Sequence, residues 1–138
     1  MQEFSRPDRL FKVSQYEPVG RLLTIRGEQS GGANSRVEIY FRNVECMLLK
    51  PYYPNGIRVR LASDEEYRRV AGMLALISLG ADDDTRRRTW LIEDGENSFI
   101  VSENPTWREG RVEFPPGYTY KHKAEWLPGP DDEFGRID

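Results

Sequence analysis

The chain carries one cysteine, Cys46, and one histidine, His122. A lone thiol excludes an internal disulfide and any cysteine-rich zinc site. A lone imidazole leaves a histidine-dependent triad or dyad a single source for its base. That residue sits in YKHKAEW, a basic, polar run that suits a surface side chain better than a general base. No apolar run approaches the roughly 18 residues of a membrane-spanning helix. The opening MQEFSRPDRLFKV holds no apolar signal core, so a cytoplasmic protein without a membrane partner is expected. Also missing are a G-x-S-x-G elbow, an H-E-x-x-H pair, a dinucleotide fingerprint and a P-loop. No cofactor and no metal are implied.

What is present is a polar but foldable composition. The 138 residues suit a single domain over 1–138, and 12% aromatics argue against disorder. A net charge of -3 and a pI of 5.3 count against a general nucleic-acid binder, which is usually basic.

Periodicity divides the chain. Residues 1–18, interrupted by Pro7 and Pro18, read as a partly irregular N-terminal arm. VGRLLTIRG (19–27) reads as a strand, followed by a loop of glycine and small polar residues. In RVEIYFRNV (36–44), Val37, Ile39 and Phe41 alternate with Arg36, Glu38, Tyr40 and Arg42. CMLLK (46–50) is a third strand or a continuation past a bulge near Asn43. PYYPNG (51–56) is a turn, and IRVRL (57–61) alternates again.

The best helix signal spans about 63–79. Ser63 and Glu66 form a capping box, and Asp64, Glu65 and Glu66 suit the positive end of the helix dipole. Tyr67, Val70, Ala71, Leu74 and Ile77 line one face. Gly72 costs propensity unless a close packing contact requires it, and Gly80 is a natural stop. RTWLIED (88–94) and SFIVSE (98–103) read as a hairpin across Asp94-Gly95. RVEF (111–114) and YTYKHKAEW (118–126) suggest another around PPG, and 128–138 reads as a loose acidic tail. The order predicts an α+β fold. A mostly antiparallel sheet of about five to seven strands would carry one main helix on one face.

Three surfaces are candidates for binding. If 36–42 and 57–61 pair, Arg36, Arg42, Arg58 and Arg60 share a face with Tyr40, able to hold an acidic partner or RNA. The same pattern also serves solubility alone. Tyr52 and Tyr53 lie between prolines, and Trp107 falls in a predicted loop, where such residues anchor interfaces or fold back as lids. Asp82, Asp83 and Asp84, with Glu93 and Glu96, are candidates for steering a basic target. The run GADDDTRRRTW offers hard oxygen ligands and phosphate-binding arginines, but adjacent aspartates converge poorly on one ion. A charged helix-to-strand connection is its simplest reading. Cys46 lies in an apolar run, as an inert buried thiol would.

No catalytic set assembles, which favours a non-catalytic protein over an enzyme. The sequence is compatible with a cytoplasmic protein-binding domain, such as an inhibitor or toxin-neutralising protein of the immunity type. A small-ligand protein or enzyme with a pocket between helix and sheet is the alternative, and RNA binding through the arginine face is third. Homo-oligomerisation stays open.

Overall fold

The computed structural model describes residues 1–29, 35–76, 82–92, 98–112, 126 and 129–138. Numbered along the chain, their strands are β1 (Glu3–Arg6), β2 (Arg9–Glu17), β3 (Leu22–Gln29), β4 (Ser35–Phe41), β5 (Cys46–Leu48), β6 (Tyr52–Tyr53), β7 (Ile57–Leu61), β8 (Thr89–Ile92), β9 (Phe99–Val101), β10 (Thr106–Arg111) and β11 (Glu133–Arg136). Two short helices, α1 (Asp64–Leu76) and α2 (Asp83–Arg86), lie between β7 and β8. The strands form two antiparallel sheets, ordered β1-β7-β8-β9-β5 and β11-β10-β4-β3-β2-β6. The mostly antiparallel architecture matches expectation. The single sheet of five to seven strands does not, because eleven strands divide between two sheets.

Period-two patterning explains the division. Val37, Ile39 and Phe41 of β4 are fully buried, as are Leu23 and Ile25 of β3 and Phe11 of β2. They share one buried cluster with Phe4, Ile57, Val59, Trp90, Ile92 and Ile100 from the five-stranded sheet. Each such side chain contributes about 1.5–3 kcal/mol by leaving water. Apolar residues from both sheets share this one cluster, so the two faces close on each other.

The chain changes sheets at defined points. After β4, Asn43 takes φ 52°, and Val44 N–H donates to Arg21 O at 3.0 Å. Glu45 N–H then donates to Val101 O at 2.8 Å, which places β5 against β9. The bulge near Asn43 is therefore a crossover between sheets. At Gly56 φ is +97°, and a Cβ there would strike the Arg6 carbonyl oxygen at the turn between β1 and β2. Only glycine meets both demands.

Several expectations change. The arm at 1–18 is not irregular: it holds β1 and β2, paired with β7 and β3. Each supplies a core phenylalanine, Phe4 or Phe11. The tail is not loose either, since β11 pairs with β10 and Ile137 is fully buried. Trp107, expected in a loop, sits in β10 opposite Ile39. The turn at 51–56 contains β6, whose Tyr53 pairs with Phe11. The hairpin of β8 and β9 is present, but its turn lies outside the described residues, as do Gly80 and the strand expected at 118–126 apart from Trp126.

Helix α1 begins with the expected box: Ser63 N–H donates to Glu66 Oε1 at 3.0 Å, and Glu66 N–H to Ser63 Oγ at 3.3 Å. Tyr67, Val70 and Leu74 join Leu91, Phe99 and Val101 in a second buried cluster. Arg60 grips Glu66 through two 2.7 Å bonds, and with Ser63 it lowers that carboxyl from an ordinary 4.5 to about 2. A close contact does not explain Gly72, because a Cβ there would meet nothing within 4 Å.

Gly72→Ala should therefore stabilise the protein by about 0.5–1 kcal/mol, read as a raised urea midpoint. Glu66→Ala should cost about 1 kcal/mol at neutral pH. A lowered carboxyl pKa contributes stability that is complete above 4.5 and fades as pH falls towards 2. The gap between wild type and variant should close across that window in urea titrations at stepped pH.

Candidate binding groove

With Val37, Ile39 and Phe41 turned into the core, β4 must present Arg36, Glu38 and Tyr40 on the outer face of its sheet. The register places Arg26 of β3 and Arg108 of β10 on either side of Glu38. Acids and arginines then pair across strands. Arg26 donates to Glu38 at 2.8 Å through Nε, and Arg36 to Glu28 at 2.6 Å through Nη2. Tyr40 O–H donates to Glu38 Oε2 at 2.7 Å. Burial, reinforced by the Glu38 carboxylate, pushes the Tyr40 hydroxyl well above its ordinary pKa.

This face is partly covered. Trp126 is buried against Arg108, whose guanidinium carbon stands over the ring at 3.7 Å from its centroid. Arg108 also donates to Trp126 O at 2.9 Å, and to Asp132 Oδ2 at 3.0 Å through Nε and 2.7 Å through Nη2. The Asp132 side chain is only 3% exposed. Burial opposes its ionisation, but the guanidinium and the Gly129 N–H together hold it below the ordinary carboxylate range.

Beside this cluster the described residues leave a groove. A groove of about 630 Å³ runs between Tyr40, Arg42, Thr106, Arg108, Phe134 and Arg136, and Trp107 and Gly135 complete its lining. Gly135 lies against the Trp107 indole so closely that a Cβ would overlap the ring. Arg42 donates to Thr106 Oγ1 at 2.8 Å and stands 5.6 Å from the Tyr40 ring centroid. Phe134 is 67% exposed, unusual for so large an apolar side chain.

The expected arginine face is thus divided. β4 and β7 do not pair, since they belong to different sheets. Tyr40 and Arg42 reach the groove, with Trp107 in its wall, while Arg36 is fully buried on the same sheet. Arg58 and Arg60 lie on the other sheet, bound to Glu3 and Glu66. Tyr53 is a core residue whose O–H donates to Ser98 Oγ, and Tyr52 is exposed. Phe134, Arg136, Arg108 and Asp132 were not singled out. The signal for Phe134 and Arg136 is a two-residue alternation over the four residues of β11, and Arg108 lies in TWREGR, where the sequence reads as a loop.

The charged run 82–88 is a helix-to-strand connection with a turn of helix inside it. Asp82 caps α2 by accepting from Thr85 N–H at 2.8 Å. That bond, with the one from the Thr85 hydroxyl, lowers its pKa. Arg86 pairs with Asp64, and Arg88 with Glu45 and Asp84. Asp83 and Asp84 are exposed, while Glu93, Glu96 and His122 lie outside the described residues. Cys46 is half-buried against the helix cluster, and burial pushes its thiol pKa up, away from reactivity. Among the described residues no three His, Cys, Asp or Glu side chains form a group able to hold a metal.

No protein-family model, curated protein or solved structure matches the chain.

Arg108→Ala should cost about 3 kcal/mol in urea unfolding, because it leaves Asp132 charged, buried and unpaired. Arg108→Met combined with Asp132→Leu should lose less than the two single changes summed. That non-additivity would identify a coupled pair.

Proposed function

We propose that this chain is a non-catalytic protein-binding domain, of the inhibitor or toxin-neutralising type, that holds its partner in the groove between β4, β10 and β11. The observation that carries the reading is the groove rim, where Tyr40 and Phe134 stand among Arg42 and Arg136. Aromatic and arginine side chains on a rigid sheet are the usual anchors of an interface. A segment bearing carboxylates beside an apolar side chain fits this rim. The partner's charge would be opposite to that expected for steering by Asp83 and Asp84, which lie in the α2 connection instead.

Among the described residues, the shifted groups include none moved towards neutrality. A general acid or base works best with a pKa near the operating pH. Here Glu66 and Asp132 shift downwards and Tyr40 upwards, all away from neutrality. Burial and Glu38 raise Tyr40, while Arg60 and Arg108 lower Glu66 and Asp132 against the cost of their burial. Where the alternative reading would place a pocket, among the described residues Tyr67, Val70 and Leu74 share one buried cluster with Leu91 and Phe99.

The test is affinity capture from host extract with nuclease present, comparing wild type with Arg42→Glu, Tyr40→Ala and Arg58→Gln. One partner retained in stoichiometric amount by wild type and Arg58→Gln is expected, with at least tenfold less on Arg42→Glu and Tyr40→Ala. Equal retention by all four proteins would remove the groove from the interface. Capture that succeeds only when nuclease is omitted would favour nucleic-acid binding instead.

A further inference from the structure

Opposed residues of β4, β10 and β11 form rows across the outer face of the sheet. Tyr40, Thr106 and Arg136 make one row, and Glu38, Arg108 and Phe134 the next. Thr106 is the small member of its row, so the floor of the groove lies low between a tyrosine and an arginine. Most polar groups along this floor are already engaged. Tyr40 O–H donates to Glu38 Oε2 at 2.7 Å. Arg108 is bound to Asp132 and to Trp126 O. Arg136 Nε meets Asp138 Oδ1 at 3.1 Å, and Asp138 Oδ2 takes the Met1 ammonium. Arg42 differs. It is exposed, its Nη1 donates to Thr106 Oγ1 at 2.8 Å, and among the described residues it has no carboxylate partner. Thr106 accepts in that bond, and its own O–H donates to no described residue.

We propose that Arg42 and Thr106 are the receptor for one carboxylate, an aspartate or glutamate side chain of an extended partner segment, and that Phe134 takes the apolar side chain two residues away from it. This rests on the groove being the partner-binding site. With Nη1 anchored on Thr106, the Nε and Nη2 hydrogens of Arg42 remain for the two oxygens of a carboxylate. That parallel fork is the strongest arrangement of such a pair. One cation without an acid matches one negative charge. A phosphoryl group, at about −1.5 to −2 charges, exceeds it, because Arg108 and Arg136 already face Asp132 and Asp138.

The spacing follows from strand geometry. Arg42 lies beyond the Tyr40 row, but its guanidinium reaches back to Thr106. Phe134 stands one row, or two residues, further along the strands, a distance of about 7 Å. Side chains i and i+2 of an extended segment share one face at the same separation, whereas adjacent ones point to opposite faces. A segment running along β10 can therefore set its carboxylate at Arg42 and its apolar side chain against Phe134, which is 67% exposed.

Fluorescence anisotropy on the full chain, with labelled seven-residue peptides, tests this. The first peptide carries aspartate and phenylalanine two positions apart among glycine and serine. Three others make the pair adjacent, replace the aspartate by asparagine, or replace it by phosphoserine. The first should bind, and each of the others should bind about tenfold more weakly or worse, as for a lost charge-assisted bond. Arg42→Lys keeps the charge and loses the fork, and Thr106→Val removes the anchor. Each should weaken the first peptide about fivefold, with an unchanged Tm to show that the variant folds, while Arg58→Gln should have no effect. No binding of the first peptide at millimolar concentration overturns the proposal. So does equal binding of any of the other three, or full affinity in Arg42→Lys. The groove reading fails separately, through affinity capture indifferent to Arg42→Glu and Tyr40→Ala. A partner lost on those variants, with no preference for the first peptide, sinks the carboxylate receptor alone.

Discussion

The layer of side chains trapped between the two sheets is the constraint on which the other features depend. Phe4, Phe11, Trp90 and Trp107 fill it together with the aliphatic residues of β3, β4 and β7. Once one face of every strand is committed to that layer, strand periodicity sends the alternate residues outward. The arginines and carboxylates of β3, β4 and β10 have no other place to go. Ion pairing between the sheets follows the same frame. Arg6 of β1 reaches Glu109 of β10 at 3.0 Å, and its guanidinium lies over Phe4 at 4.5 Å and Trp107 at 5.6 Å. A cation covers the end of the apolar layer without entering it.

The outer face of the six-stranded sheet is unusual for burying charge. Arg36 and Arg108 are nearly removed from water, and Glu38 with them. Desolvating a charge costs several kcal/mol unless a close partner compensates. Each of these cations has one: Glu28 for Arg36 and Asp132 for Arg108, with Trp126 stacked on the latter. Such pairs hold geometry better than they add stability. Their effect is to fix the wall of the groove, so that Tyr40, Arg42 and Phe134 stand on a rigid base. If the proposed partner binds there, anchors held in place lose little entropy.

Some of this was legible in the residues and some was not. The alternation in 36–44 and 57–61 located β4 and β7, and the Ser63–Glu66 box located the start of α1. Both signals are local, carried by neighbours a few positions apart. The candidate site was legible only at Tyr40, Arg42 and Trp107. Its other wall comes from β11, a four-residue strand whose identity depends on pairing with β10. Residues 1–18 misled for a related reason. Pro7 lies in the turn between β1 and β2, and Pro18 just past the end of β2, so both prolines mark strand ends where an irregular arm was expected.

Which side of each strand is apolar, where the helix begins, and that one thiol can form no internal disulfide can all be read from the residues in order. Periodicity, capping and counting are properties of a short stretch, independent of what lies across from it. Folding in three dimensions placed β4 and β7 in separate sheets, which divided the arginines. It alone buried Arg36 and Arg108 beside their carboxylates and brought Phe134 next to Tyr40 and Arg42. Those outcomes depend on strand order and register. Order and register are set by how apolar faces far apart in the chain fit against each other, and a linear pattern of residues does not contain that fit.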